Sequence, residues 1–242
     1  MKLIHEVRRR LSGSVLLRKL YLMFFSIFPV HARYELNRRL RSPYSVLELE
    51  EGVIFIHIPK AAGNALIKSL YGKSATGHDP LIRYRKYDPV KFDVFFKFSV
   101  VRNPWDRMVS SFHYLKQGGI GFFDKDFSDK YLLDCNEFSD FLAKMMQDKK
   151  FESKVLSWVH FVPQINFLSL DGDAIDVDLC VKLEDLPNSF DMVCKKLGVV
   201  SKVMLKDNAS IRKDYRSYYS AVTAKYVGEL YCKDVSLLGY EF

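Results

Sequence analysis

The chain has 242 residues, of which 48% are hydrophobic and 27% are charged, and its formal net charge is +8 at pH 7. This length and composition are typical of one soluble globular domain, and they argue against a disordered protein or one with several membrane spans. The basic balance favours a polyanionic partner, such as nucleic acid, acidic lipid, anionic polysaccharide or a multiply charged nucleotide. Charge alone does not choose among these partners.

The four cysteines are far apart in the sequence. None forms a C-x-x-C pair, and none has a histidine at metal-ligand spacing; they are Cys135, Cys180, Cys194 and Cys232. The pattern predicts reduced, partly buried thiols, with neither a zinc site nor a disulfide framework.

The N-terminal segment, residues 1–45, combines basic residues with an apolar run of eleven residues, 20–30. A helix needs about 20 residues to cross a bilayer, so this run is too short. No small-residue cleavage site follows it, which argues against a signal peptide. Two interpretations stay open: a helix packed on the domain, or peripheral contact of residues 1–41 with an anionic membrane.

Residues 46–242 are predicted to form a single domain. Val53–Ile58 is a continuous apolar run, the pattern of a strand buried on both faces of a parallel sheet. The next segment places Leu66, Ile67 and Leu70 on one helical face, and Gly72 fits the helix end. Residues 72–93 are predicted to be mostly loop, with room for a short helix.

Val94–Val101 is predicted to be the second buried strand, and Asn103 to cap the helix that follows. Pro104 is favoured at the first helical position. The helical period then divides the side chains into two sets. The core set is Trp105, Met108, Val109 and Phe112, and the set predicted to face a ligand is Arg107, Ser110 and Tyr114.

Further along the chain, residues 117–134 are predicted to be a loop over the site, and residues 174–181 a third strand. Helices are predicted at 136–148, 187–197 and 220–231. The alternation of strands and helices predicts an α/β fold, with a central, mainly parallel sheet and helices on both faces.

The first predicted strand leads into the turn Pro59-Lys-Ala-Ala-Gly-Asn64. A turn of this kind presents backbone N–H groups, a lysine and the positive end of a helix dipole to an anion. It is not a Walker A loop, because it lacks the first glycine and the Gly-Lys-Ser/Thr ending whose hydroxyl binds magnesium. An ordinary strand–helix turn that contains a lysine is the alternative interpretation.

The second predicted strand ends in Arg102, at the sheet edge where open α/β folds bind ligands. Arg102 and Ser110 are eight residues apart across a capped turn, so a guanidinium and a hydroxyl can bind one phosphate together. The alternative is that Arg102 pairs with Asp106. Two such anion sites predict a ligand with phosphate-like charge at both ends.

Together, Ile56-His-Ile-Pro-Lys-Ala-Ala-Gly63 and Phe98-Ser-Val-Val-Arg-Asn-Pro-Trp-Asp-Arg-Met-Val-Ser110 resemble the signatures of carbohydrate sulfotransferases that use 3′-phosphoadenosine 5′-phosphosulfate (PAPS). The likeness continues in Gln164, Val181–Leu186, Asn208–Ser210 and Tyr231–Phe242. It departs at Ala61, Asn64 and Ala65, where the family usually has Ser or Thr, so hydroxyl donors are lost and N–H groups are kept. The resemblance implies a P-loop-like nucleotide-binding core.

The resemblance also implies roles for single residues. Lys60 would contact the bridging oxygen and the sulfuryl group of PAPS, and Arg102 and Ser110 would bind the 3′-phosphate. The 5′-phosphate would bind the amides of the first turn, Ala61, Ala62, Gly63, Asn64 and Ala65. No metal is implied, and no nucleic acid partner. Few cysteines and no full membrane anchor suggest a bacterial-type cytoplasmic enzyme, either free or membrane-associated.

Transfer to an acceptor hydroxyl needs a base, and histidine has the best-matched pKa near neutral pH. His78 is the favoured candidate, because it lies in a polar loop between the two motifs, and Glu184 is the reserve. Arg83 and Arg85, interleaved with tyrosines, and Glu184 are candidates for binding a saccharide acceptor of polysaccharide biosynthesis, while Glu184 could equally orient Lys182 or Lys60. A solvated charged loop is the alternative, as it is for the basic residues at 212–216.

Two other functions stay open at this stage. A kinase-like phosphotransferase would need a magnesium-binding Ser or Thr after the lysine, where the chain has Ala61. A non-catalytic module would bind polyanions or membranes through residues 1–41 and the patch around Arg83.

Overall fold

The computed structural model describes residues 27–75, 77–200 and 213–242. In this part of the chain, three strands form one parallel sheet in the order β1-β2-β3: Val53–Ile56, Phe96–Val101 and Leu179–Lys182. Phe55 pairs with Phe98, and Val101 pairs with Lys182, so all three strands end at the same edge. The predicted α/β fold with a parallel sheet flanked by helices is confirmed.

Helices connect and surround the strands. Along the described residues they are α1 Val30–Arg39, α2 Val46–Glu51, α3 Gly63–Tyr71, α4 Leu81–Tyr87, α5 Pro89–Val94, α6 Pro104–Lys116, α7 Phe122–Tyr131, α8 Phe138–Gln147, α9 Lys149–Leu156, α10 Ile165–Leu168, α11 Leu186–Leu197, α12 Ala221–Leu230 and α13 Cys232–Leu238, with a 3-10 turn at Tyr215–Tyr218. No helix among these is long and apolar enough to cross a membrane.

The sheet is covered on both faces. Val53 and Phe55 belong to one apolar cluster, together with side chains of α3 and α11 such as Leu66 and Phe190. Ile54 and Ile56 belong to a larger cluster that includes α6, α7 and α8. The alternating strand residues thus contribute to two cores, as expected of a buried parallel sheet.

The second and third strands are shorter than predicted. Val94 is the last residue of α5 and is 77% exposed, so the strand predicted from residue 94 begins at Phe96. The strand predicted from residue 174 begins at Leu179, because the residues before it form a polar turn in which the Asp176 carboxylate accepts from the Leu170 N–H. An apolar run in the sequence does not show where the turn ends.

The predicted loop at 117–134 is wrong, because Phe122–Tyr131 forms α7. Gly119 and Gly121 have positive φ and form the turn that precedes the helix. Phe127 is fully buried and stacks on Trp158 with ring centroids 4.7 Å apart. Packing against a tryptophan distant in sequence stabilises a helix whose local composition predicts a loop.

The region 72–93 contains more helix than predicted, since α4 and α5 follow one another there. The Asp88 side chain caps α5 by accepting from the Lys91 N–H, and Pro89 occupies its first turn. The segment 1–45 is described only from residue 27 onward, and Asn208–Ser210 and Arg212 lie outside the described residues. The division of the chain at residue 45 stays a prediction.

Arg83 joins α1 to α4. Its guanidinium donates to the buried Asp79 carboxylate and to the backbone carbonyls of Arg38 and Arg41. Arg41 also pairs with Asp79 at 3.2 Å. One side chain therefore satisfies three acceptors on two segments of the chain.

Replacing Arg83 by methionine should lower the free energy of unfolding by about 2–4 kcal/mol, because a buried carboxylate loses one of its two cations and two carbonyls lose a donor. Urea unfolding followed by circular dichroism measures the change. The control is Arg85→Met on the same helix, where the side chain is exposed and the expected change is within about 0.5 kcal/mol. Equal stability of the two variants would contradict this role for Arg83.

Candidate functional site

The turn after β1 has an unusual backbone. Lys60 and Ala62 both have positive φ, 65° and 57°, a conformation that costs a residue with a Cβ about 1–2 kcal/mol. Ala62 is the N-cap of α3, and no side chain caps this helix. The first-turn N–H groups of α3 therefore have no side-chain acceptor, and the helix dipole adds positive potential there.

Gly63 is required by close packing. A Cβ atom at this position would lie 2.3 Å from Cδ2 and 2.7 Å from Nε2 of His57. The His57 ring is buried, and its Nδ1 lies 3.0 Å from the Gly77 carbonyl oxygen, so it is held in place. The turn and the strand are thus locked together by one imidazole ring.

Arg102 connects the two sequence motifs. Its Nη1 donates to the backbone carbonyl of Lys60 at 2.8 Å, and its Nε donates to the Asp106 carboxylate at 2.7 Å. The alternative interpretation from the sequence, pairing with Asp106, is confirmed, and the guanidinium also binds the lysine turn; phosphate binding by Arg102 and Ser110 stays a prediction. The backbone of Arg102 is fixed by the Gln164 amide, which accepts from its N–H and donates to its C=O.

A stripe along α6 links the two cations. The stripe contains Asp106, Ser110 and Tyr114, spaced four residues apart. Arg102 contacts its first member, and the Lys60 Nζ lies 3.9 Å from the ring centroid of its last member. Asp106 and Tyr114 are eight residues apart, which is about 12 Å along the helix axis. Ser110 lies midway, so the stripe can support a ligand with an anionic group near each end.

His78 belongs to a cluster of three histidines. Its ring centroid is 4.3 Å from that of His57 and 6.0 Å from that of His160. The His160 ring in turn lies 4.9 Å from Tyr114, the residue beneath Lys60. The structure thus places the predicted lysine and the predicted base on two sides of one aromatic cluster.

Burial lowers the pKa of His57 and His78. It lowers the pKa of His57 to about 4, and it lowers that of His78 well below its usual value of 6.5, with the neighbouring histidines adding to the shift. Both rings are therefore neutral at pH 7. A neutral His78 has one ring nitrogen that can accept a proton, and its Nδ1 lies 2.8 Å from the His57 carbonyl oxygen.

The predicted acceptor residues do not lie on one surface. Arg83 is engaged within the fold, as described above, while Arg85 is exposed, and Tyr84 between them is fully buried. Glu184 contacts neither Lys60 nor Lys182; it accepts from the Asn103 N–H at 2.7 Å and from the Tyr240 hydroxyl at 3.0 Å. Their roles toward a substrate stay predictions.

The prediction that Arg107 faces a ligand is wrong. Arg107 is 1% exposed and donates to the backbone carbonyls of His160 and Val162. The helical period assigned Arg107 to a different face of α6 from Trp105. That face is not open to solvent, because it packs against the segment that contains His160 and Val162.

Sequence reasoning missed two residues at the site, Asp124 and His160. The Asp124 carboxylate accepts from the Tyr114 hydroxyl at 2.7 Å and lies 3.0 Å from His160 Nε2. Asp124 fell within the predicted loop, and His160 lies beside an apolar run, so neither had a local signal. Asp124 lies on α7, and it reaches His160 only because this helix packs against the rest of the domain.

No group of three or more potential metal ligands occurs among residues 27–75, 77–200 and 213–242. The histidine cluster therefore does not form a candidate metal centre within this part of the chain.

Gly63→Ala should destabilise the protein by about 1–3 kcal/mol, because the new methyl group would overlap the held His57 ring. Chemical unfolding measures the loss. Asn64→Ala changes the next position of the same turn, where the side chain is exposed, and should leave stability within about 0.5 kcal/mol. A Gly63→Ala protein as stable as the wild type would show that the ring is not held.

Comparison with known proteins agrees with this geometry. A profile of the sulfotransferase family matches residues 46–241, which include the lysine turn, Arg102 and the α6 stripe. No curated protein and no solved structure matches the chain. Because the matched region covers most of the chain, the chain belongs to the sulfotransferase family.

Proposed function

We propose that this sulfotransferase transfers the sulfuryl group of PAPS to a hydroxyl group of a carbohydrate acceptor. The observation that supports the proposal most is the hydrogen bond from Arg102 to the Lys60 carbonyl. This bond holds the Lys60 turn and the Arg102 guanidinium next to each other, beside the stripe on α6. A donor with phosphate groups at the 3′ and 5′ positions of one nucleoside matches such an arrangement.

The residues present fit the donor. The amides of residues 61–65 and the Lys60 ammonium offer positive potential to a 5′-phosphosulfate, although the Ala61 N–H also donates to the Ile58 carbonyl at 3.4 Å. The guanidinium of Arg102 and the hydroxyl of Ser110 offer donors to a 3′-phosphate. Arg102 already pairs with Asp106, so binding requires its guanidinium to share its N–H groups between the carboxylate and the phosphate; a guanidinium has five.

In the proposed reaction, the acceptor oxygen attacks sulfur in line with the leaving phosphate oxygen. Sulfuryl transfer resembles phosphoryl transfer in that positioning and charge stabilisation provide most of the catalysis. Lys60 stabilises the negative charge that develops on the leaving oxygen in the transition state. The N–H groups of the turn hold the 5′-phosphate without any side-chain rearrangement.

His78 is proposed as the base that accepts the proton of the acceptor hydroxyl. Burial lowers its pKa well below 6.5, so the ring is neutral at pH 7 and can accept a proton, although the same shift makes it a weaker base than an exposed histidine. The neighbouring His57 and His160 fix the ring by contact.

A saccharide acceptor is favoured by a cavity of about 360 Å³. Its lining includes the aromatic rings of Tyr34, Trp158 and Phe167 and the polar side chains of Glu35 and Asn166. Aromatic rings stack on the apolar faces of sugars, and polar groups bind hydroxyls. The cavity shares the segments around Pro80 and Val159 with the histidine cluster.

Two finer points complete the proposal. Synthesis of a sulfated polysaccharide in the cytoplasm, with peripheral membrane contact through residues 1–41, is the proposed setting. Flotation with anionic vesicles, comparing the full chain with one lacking residues 1–41, tests the membrane contact. Mass spectrometry of a panel of glycans for an added sulfate group tests the acceptor.

Lys60→Met should lower the rate of sulfate transfer from radiolabelled PAPS at least a hundredfold, because the charge on the leaving oxygen loses its cation. The control is Lys68→Met, an exposed lysine on α3 beyond the turn, which should keep a rate within twofold of the wild type.

Folding and binding are checked by thermal melting. The wild type should gain stability from 3′,5′-ADP far more than from AMP or ATP, since only the first has both phosphates. Near-normal transfer by Lys60→Met would refute the role of this lysine. A wild type that responds equally to all three nucleotides would refute the donor.

A further inference from the structure

We propose that Tyr114 is a positioning residue for Lys60: its ring, held by Asp124, keeps the Lys60 ammonium at the place where the leaving oxygen develops charge. The inference rests on the proposed function, in which Lys60 stabilises that oxygen. It extends the site to two residues, Tyr114 and Asp124, to which the sequence motifs assign no role in catalysis.

The contact between Lys60 and Tyr114 has the geometry of a cation–π interaction. Nζ lies 3.9 Å from the ring centroid, well inside the range of about 6 Å in which a cation is attracted by an aromatic face. Lys60 itself has a left-handed backbone, with a φ of 65°, and its Nζ reaches the ring on α6 from this turn. The ring and the backbone together limit where the ammonium can go.

The ring of Tyr114 is fixed from its far end. Its hydroxyl donates to Asp124 Oδ2 at 2.7 Å and accepts from the Ile120 N–H at 2.8 Å. Burial and the Asp124 carboxylate raise the pKa of Tyr114, so the hydroxyl keeps the proton that it donates. The face of the ring, not its polar end, is therefore directed at the lysine.

Asp124 is fixed in turn from two other directions. Oδ1 accepts from His160 Nε2 at 3.0 Å. A Cβ atom at Gly119, which has a positive φ, would lie 2.4 Å from Cβ of Asp124, so only glycine allows this approach. The carboxylate thus connects Tyr114 to His160, which neighbours His78, and one polar group orients aromatic rings on both sides of the proposed reaction.

A positioning role predicts a specific kinetic pattern. An ammonium that is no longer held stabilises the transition state less, while donor binding through the turn amides and Arg102 is unchanged. Removing the ring should therefore lower kcat and leave the KM for PAPS unchanged. A residue that only fills space would alter stability without this separation.

The first experiment compares two substitutions of Tyr114 with one of Gln117, the residue that follows α6. Tyr114→Leu should lower kcat at least tenfold with the KM for PAPS within twofold of the wild type. Tyr114→Phe keeps the ring face and loses only the hydroxyl, so it should lose less than fivefold. Gln117→Leu, an exposed control one turn further along, should lose less than twofold. Equal losses in the leucine and phenylalanine variants would overturn the proposal.

The second experiment does not depend on catalysis. Brief acylation of the folded protein with acetic anhydride, followed by peptide mass spectrometry, gives the reactivity of Lys60 relative to the exposed Lys68. Because the ring face favours the charged ammonium, Tyr114→Leu should raise this ratio at least threefold, and Tyr114→Phe should leave it within 1.5-fold. An unchanged ratio in Tyr114→Leu would overturn the proposal.

The two experiments separate the two claims. A wild type without sulfate transfer, in which Tyr114→Leu still raises the acylation ratio, would refute the proposed reaction while supporting the contact. Normal transfer with no change in kcat or acylation for Tyr114→Leu would refute the positioning role alone.

Discussion

The architecture of the site depends on the hydrogen bond between the Arg102 guanidinium and the Lys60 carbonyl. Parallel strands end at one edge of a sheet, so the turns after β1 and β2 are neighbours in space although they are 42 residues apart in sequence. The arginine uses this closeness to fix the backbone of the turn that bears the lysine. Its second contact, with Asp106, fixes the same guanidinium to the first turn of α6.

The turn after β1 keeps its strained backbone because contacts with neighbouring residues hold it on two sides. Lys60 and Ala62, two residues with a Cβ in left-handed backbone, cost about 1–2 kcal/mol each. The His57 ring packs on Gly63 on one side, and the Arg102 contact holds the carbonyl of Lys60 on the other. The result is a turn whose backbone is fixed before any ligand binds and whose helix has no side-chain cap, as electrostatic preorganisation requires.

A dense aromatic and histidine core extends this rigidity to the reacting groups. Tyr114, His160, His78 and His57 form a continuous series of ring contacts across the site. Burial lowers the pKa of His57 and His78, so these two rings are neutral at pH 7. The positive potential of the site then comes from the lysine, the arginine and the helix terminus.

Local sequence patterns predicted the features that are set by neighbouring residues. The apolar runs at β1 and β2, the Asn103 cap and the core face of α6 were all predictable, since each depends on burial period or capping chemistry. The resemblance of two motifs predicted the family that the profile match confirms.

Features that depend on distant contacts were not predictable. Helix α7 is stabilised by Phe127 packing on Trp158, and Asp124 meets Tyr114 and His160 only once that helix is docked. The sequence predicted that Arg83 and Arg107 bind a substrate or face a ligand. In the structure both guanidinium groups donate to backbone carbonyls of other segments of the chain. A charge in a sequence does not show which acceptors the fold will place beside it.

A crystal structure of the protein with bound 3′,5′-ADP tests the central claim most directly. The account predicts one nucleotide along the α6 stripe, with its 5′-phosphate on the amides of residues 61–65 and its 3′-phosphate within about 3.5 Å of Arg102 and Ser110. A nucleotide bound elsewhere, or one with only a single phosphate in contact with these residues, would contradict it.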